Sequence, residues 1–214
     1  SFDQINKDAF MVNWQTDWDY TTSGDAISLT AYNGSKEDYI VPTKAIINDV
    51  EYSVIFGKYN STISLGSIKN LSFGGGANKV MLPTSCQNLF GGSRVETIDF
   101  SNCDASQVTS MSDMFNGLSS LTSLTFGAEF DTSNVTDMNN MFSNCSKLTR
   151  LDLSNFDTSK VTSMSYMFSG CSSLTSLNLS NFNTSNVTNT QNMFNNCSAL
   201  TSLNLSNFNT SNVT

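Results

Sequence analysis

Histidine is absent from this 214-residue chain, proline occurs twice, and charged residues make up only 13 % of it. Without imidazole the usual general base near neutral pH and a common metal ligand are both missing, which argues against hydrolytic chemistry and against a zinc site. Ten Lys and Arg face eighteen Asp and Glu, for a net charge of −8 and a pI near 4.3. No basic cluster exists to neutralise phosphates, so nucleic acid is not an expected partner, and neither is an anionic membrane surface at neutral pH. No apolar run approaches the 18 or so residues of a membrane-spanning helix, so insertion by that route is not expected. Charge is also unevenly placed. Nine of the eighteen carboxylates fall at or before Glu51, and 161–214 contains no charged side chain.

What is present is a repeat. Near-identical units begin at Leu148, Leu174 and Leu200, spaced by 26 residues. Leu121 leads Leu148 by 27, because Gly127-Ala128-Glu129-Phe130 replaces the three residues Ser154-Asn155-Phe156. Val95 leads Leu121 by 26, and Ile68, Leu71 and Phe73 open the pattern once more before Gly74-Gly75-Gly76 and Pro83 disturb it. A period of this length marks a solenoid, in which each unit buries its apolar face against the next and the terminal unit departs from the pattern to seal the core. The expected fold is a β-rich leucine-rich-repeat solenoid over 67–214, preceded by a small β-rich N-terminal cap domain over 1–66. The chain reads as a piece of a longer array, ending about halfway through a unit.

Within a unit, Leu-x-x-Leu-x-Leu puts its last two leucines at period 2, the mark of a half-buried strand. One such strand per unit gives a parallel sheet along one side. The Asp/Asn-Thr-Ser that follows Phe156, Phe182 and Phe208 is turn chemistry. Met111 and Met114, Met138 and Met141, and Met164 and Met167 are three apart, which predicts short helical or 3₁₀ turns on the other side with both thioethers inward. Cys145, Cys171 and Cys197 recur at the period in a position filled by Leu118 one unit earlier. A residue interchangeable with Leu is read as a small buried hydrophobe, a free thiol and not a bridge or a metal ligand.

Catalysis would need convergent titratable groups. Asp152 and Asp157 lie five apart, but Asn178 and Asn183 replace them one unit later, so they read as solvated turn positions; no catalytic residue, cofactor or metal is expected. Asp17-Trp18-Asp19-Tyr20-Thr21 with Gly24 and Asp25 clusters oxygen ligands but lacks the glycine spacing of an EF-hand, and a polar hairpin loop explains it. Trp14, Trp18 and Tyr20 either pack the N-terminal segment or form an exposed sugar platform. The outward positions of successive strands should align as columns: Thr149, Thr175 and Thr201; Arg150, Ser176 and Ser202; Asp152, Asn178 and Asn204. These are the candidate ligand-binding residues.

The unit L-T-S-L-N-L-S-N-F-N-T-S-N-V-T-x-x-x-x-M-F-x-x-C-S, over 68–214, resembles the repeat of the BspA-like leucine-rich-repeat surface proteins of bacteria. Ile27-Ser-Leu-Thr-Ala-Tyr-Asn-Gly-Ser and Tyr39-Ile-Val-Pro resemble the β-rich segment that often precedes such repeats. The resemblance implies an extracellular protein attached to the wall of a Gram-positive cell, an adhesin for host glycans, mucin or extracellular matrix proteins. A structural spacer that holds a distal domain off the wall is the alternative. Since Asp and Glu protonate near pH 4–4.5, repulsion from anionic host surfaces should fade in acid. Uncapped solenoid ends offer a route to weak self-association.

Overall fold

The computed structural model describes residues 13–214; the part of the expected N-terminal segment at 1–12 lies outside the described residues. Twelve strands follow one another: β1 (Trp18–Ser23), β2 (Ala26–Tyr32), β3 (Asp38–Val41), β4 (Lys44–Ile47), β5 (Val50–Phe56), β6 (Asn70–Phe73), β7 (Val80–Met81), β8 (Thr97–Asp99), β9 (Cys103–Asp104), β10 (Ser123–Thr125), β11 (Ser176–Asn178) and β12 (Ser202–Asn204). Two hairpins form where the sequence supplies residues that tolerate positive φ. Gly24 (φ 59°) turns β1 into β2, and Asn48 (φ 51°) with Asp49 (φ 64°) makes the two-residue loop between β4 and β5. Positive φ at both central positions is the type I′ geometry, whose twist matches that of the strands it joins.

The remaining pairings are parallel, as a coil that always turns the same way requires. One sheet runs β10-β8-β6-β3, a second runs β1-β2-β5-β7-β9 with β4 also on β5, and a third is β11-β12. Sheets do not stop at residue 66. β3 pairs with β6 and β5 with β7, so the N-terminal segment shares sheets with the repeats, and a single apolar cluster runs from Trp14 to Met193.

Columns of identical side chains fill the core. Phe90, Phe115, Phe142, Phe168 and Phe194 stack ring on ring, with centroids 5.5, 5.5, 5.6 and 5.7 Å apart and interplanar angles of 10° or less. Phe73, Phe100 and Phe126 stack likewise before Leu153 and Leu179 take over that position. Cys145 and Cys171 are free and buried, and half-buried Cys197 continues their column. Each thiol donates to a carbonyl of the preceding coil, Cys145 to Phe115 and Cys171 to Phe142. Burial pushes both thiols up, Cys171 to about 12, so they stay protonated and unreactive at neutral pH.

The side opposite the strands corrects the expectation of helical or 3₁₀ turns: no helix occurs among the described residues. Met114 N–H does bond to Met111 C=O, but Asp113 between them has φ 56°, and Asn140, Tyr166 and Asn192 repeat this left-handed conformation. Each Met pair therefore brackets a turn with positive φ at its third residue, the type II geometry. A left-handed residue reverses the peptide direction, and alternate amides then face the next coil. Met111, Asp113, Phe115 and Gly117 donate to the carbonyls of Asp137, Asn139, Met141 and Ser143. The three-residue spacing of the methionines is real, but it comes from turns stacked into a ladder.

The strand side has a break. Backbone hydrogen bonds join β8 to β10, but none joins β10 to 149–153, which forms no strand. The extra residue of the 27-residue unit lies at 127–130, directly after β10. Gly127 passes so close to Ser101 that an added Cβ would sit 2.8 Å from its Cα, and Glu129 forms an ion pair with Lys79.

Candidate functional site

All nine of the column residues are exposed. Four of them are brought into register by the pairing of β11 with β12, which sets Ser176 beside Ser202 and Asn178 beside Asn204, while Leu177 and Leu203 point inward between them. Thr201 N–H bonds to Thr175 C=O at 3.0 Å and extends the ladder one residue further. Thr149, Arg150 and Asp152 lie in the stretch without strand pairing, and the one backbone bond tying them to the next level is Thr175 N–H to Thr149 C=O at 3.4 Å.

Several of these groups are already engaged. Asp152, Asn178 and Asn204 each accept from the amide two residues on, those of Ser154, Ser180 and Ser206, at 2.9–3.0 Å. Such a turn needs only a side-chain oxygen, which explains the free exchange of Asp and Asn along the column. The Ser154 hydroxyl and amide hold the Asp152 carboxyl below its usual range. The Thr201 hydroxyl donates to Thr175 C=O. Among the described residues, the hydroxyls of Ser176 and Ser202, the side-chain NH₂ groups of Asn178 and Asn204, and the guanidinium of Arg150 have no protein partner, so these are the groups available to a ligand.

The Thr-Ser pairs divide their work. Thr132, Thr158 and Thr184 are buried, and each hydroxyl both donates to the backbone carbonyl and accepts from the backbone amide of one residue in the next coil: Asp157, Asn183 and Asn209. They are staples between coils and form no exposed array. Trp14 and Trp18 pack, with Trp18 Nε1 donating to the Tyr39 hydroxyl at 2.9 Å, so the exposed aromatic platform does not form and Tyr20 is half-buried. Burial raises the Tyr39 phenol to about 12. The stretch from Asp17 to Asp25 becomes the β1–β2 hairpin.

Sequence reasoning missed the N-terminal continuation of the strand face. There Asp38, Ile40, Asn70, Ser72, Thr97 and Asp99 line a shallow groove of about 300 Å³. Asn70 donates to Asp38 at 2.7 Å and accepts from Thr97 at 2.8 Å. The alternation of Asn70 and Ser72 with Leu71 and Phe73 carried the signal for the middle of this groove.

A family model described as "Mycoplasma protein of unknown function, DUF285" matches 84–177 and, overlapping it, 127–214, which together are more than half of the chain. The fold is similar to that of a leucine-rich repeat protein from Bacteroides ovatus, at 16 % identity and a TM-score of 0.51, over 88 % of this chain and 52 % of that one. This chain thus spans about half the length of that structure. A leucine rich cell surface protein from Faecalibacterium prausnitzii aligns over 89 % of this chain and 75 % of its own, at 14 % identity and a TM-score of 0.25. No curated protein matches.

Proposed function

The chain belongs to the DUF285 family of BspA-like leucine-rich repeats, and we propose that it is an extracellular module of a bacterial cell surface, wall-anchored, which binds host glycans, mucin or matrix without catalysis. The observation that carries this reading is the exposed, uncharged donor array of β11 and β12, in register across coils. Sugar hydroxyls suit such neutral donors and acceptors. With no exposed aromatic anchor among the nine column residues, each contact is weak, and affinity comes from many units acting together.

Acid should strengthen binding to anionic polymers as the net charge of −8 declines. Asp152 and Asp157 discharge late, because Ser154 and Ser159 hold their carboxyls low. The test is an array of glycans, mucins and matrix proteins probed at pH 7 and about pH 4. Retention should be stronger at the lower pH, reverse on neutralisation, and fall roughly tenfold in a Ser176→Glu/Ser202→Glu variant. Silence at both pH values would reject adhesion and assign the module the role of a spacer.

A further inference from the structure

Along the turn side, the ladder between coils is complete except at its N-terminal end. Met111 through Gly117 donate four bonds to the coil that follows, whereas Ile63 donates a single one, to Leu89 C=O at 2.8 Å. Past Ile63 the two coils part. Ser64 turns to β2 instead, its amide bonding to Thr30 and its carbonyl accepting from Tyr32. A cavity of about 400 Å³ opens between 62–66 and 91–94.

Three features of this cavity point to a ligand. Its lining carries one charge, the exposed guanidinium of Arg94, and no carboxylate, in a protein of net charge −8. Arg94 forms no ion pair and no hydrogen bond among the described residues. The amides of Leu65, Gly66 and Arg94, all in the lining, donate to no protein acceptor; Leu65 stands where Gly117 and Gly170 stand in later coils, whose amides bond to Ser143 and Asn195 of the next coil. Backbone donors that find no protein partner take one from solvent or ligand. Beside them lie the hydroxyls of Ser64 and Ser93. Finally, Gly92 has φ +74°, and a Cβ built on it would meet nothing within 4 Å.

We propose that this cavity binds the carboxylate or sulfate group of an acidic sugar, with Arg94 as its charged partner and the main-chain amides of Leu65 and Gly66 completing the contact. The planar guanidinium matches a carboxylate or sulfate oxygen pair, and the open space at Gly92, where a side chain would stand, leaves room for the sugar beside it. The volume suits one sugar ring. That a sugar carries the anion rests on the glycan reading above; the oxyanion site does not.

The experiment follows backbone amide NMR shifts of the full chain during titration with a methyl sialoside, galactose 6-sulfate, galactose and sodium sulfate. Both acidic sugars should move the amides of Leu65, Gly66, Gly92 and Arg94, and galactose should not. Arg94→Gln should weaken binding about tenfold or more. Gly92→Asn should abolish it with the arginine intact. That variant is compatible with the fold, since Asn144 (φ 60°) and Asn196 (φ 59°) occupy the same position in later coils. Unchanged affinity in either variant, or no shifts in the unaltered chain by about 50 mM ligand, would overturn the site. Equal binding of sodium sulfate would overturn the sugar. Acidic sugars that move only the amides of β11 and β12 would leave the glycan reading standing and remove this cavity from it.

Discussion

The two sides of the solenoid reverse the usual relation between regular secondary structure and continuity. The strand side holds the β-strands, yet they are two to four residues long beyond β5 and the ladder is interrupted at 149–153. The turn side contains no named strand beyond β9, yet four amides per coil bond to the next coil and five phenylalanine rings stack without a gap. The register of the array is therefore held by the turn side. When one extra residue enters at 127–130, the strand side absorbs the mismatch, because its few backbone bonds are easier to give up than a packed aromatic column.

The sharpest way to break this comparison is to remove one ring. Phe142→Ala takes a fully buried side chain from between Phe115 and Phe168 and should cost about 3–5 kcal/mol in denaturant unfolding, whereas Leu151→Ala on the interrupted strand side should cost roughly 2 kcal/mol. Equal losses would show that the two sides carry the register together. A smaller effect is expected at the corner between them. Thr158→Val strips the amide and carbonyl of Asn183 of their partner and should cost about 1–3 kcal/mol, while Thr158→Ser should recover most of it. The smallest effect is electrostatic. Asp157, held low by the Ser159 hydroxyl and amide, adds stability that is present above its unfolded pKa of about 3.9 and is lost as pH falls through the lowered folded value. Asp157→Asn, the residue found at Asn183, should leave stability at pH 7 nearly unchanged and flatten its dependence below about pH 4. An unchanged acid limb would remove Asp157 from the account.

The period, the inward leucines, the thiol column and the outward polar columns were legible, because each is a side-chain pattern repeated at fixed spacing. The turn type was harder to read. Asp113, Asn140 and Asn192 are residues that accept positive φ, and they recur two positions after Met111, Met138 and Thr190; Tyr166 hides the pattern in one unit, and the methionine spacing fits a 3₁₀ turn equally well. The 27-residue unit announced an insertion, but which side would yield depends on the relative strength of two ladders, and that is set by contacts between coils. Thr158 looked like a turn residue because the neighbouring Asp157 is one; its burial is visible only in the equivalence of Thr132 with Ala105 one coil earlier. The cavity at Arg94 has no motif at all, since it arises where one ladder stops.

The threonine staples carry a further implication. Each joins a coil to the equivalent point of the next, Thr132 to Asp157, Thr158 to Asn183, Thr184 to Asn209, and the aromatic column does the same. Every joint in this stretch thus has the same two halves. A gene that gains or loses a whole unit by unequal recombination creates no new kind of junction, so the length of such a protein can drift between strains while its architecture stays constant.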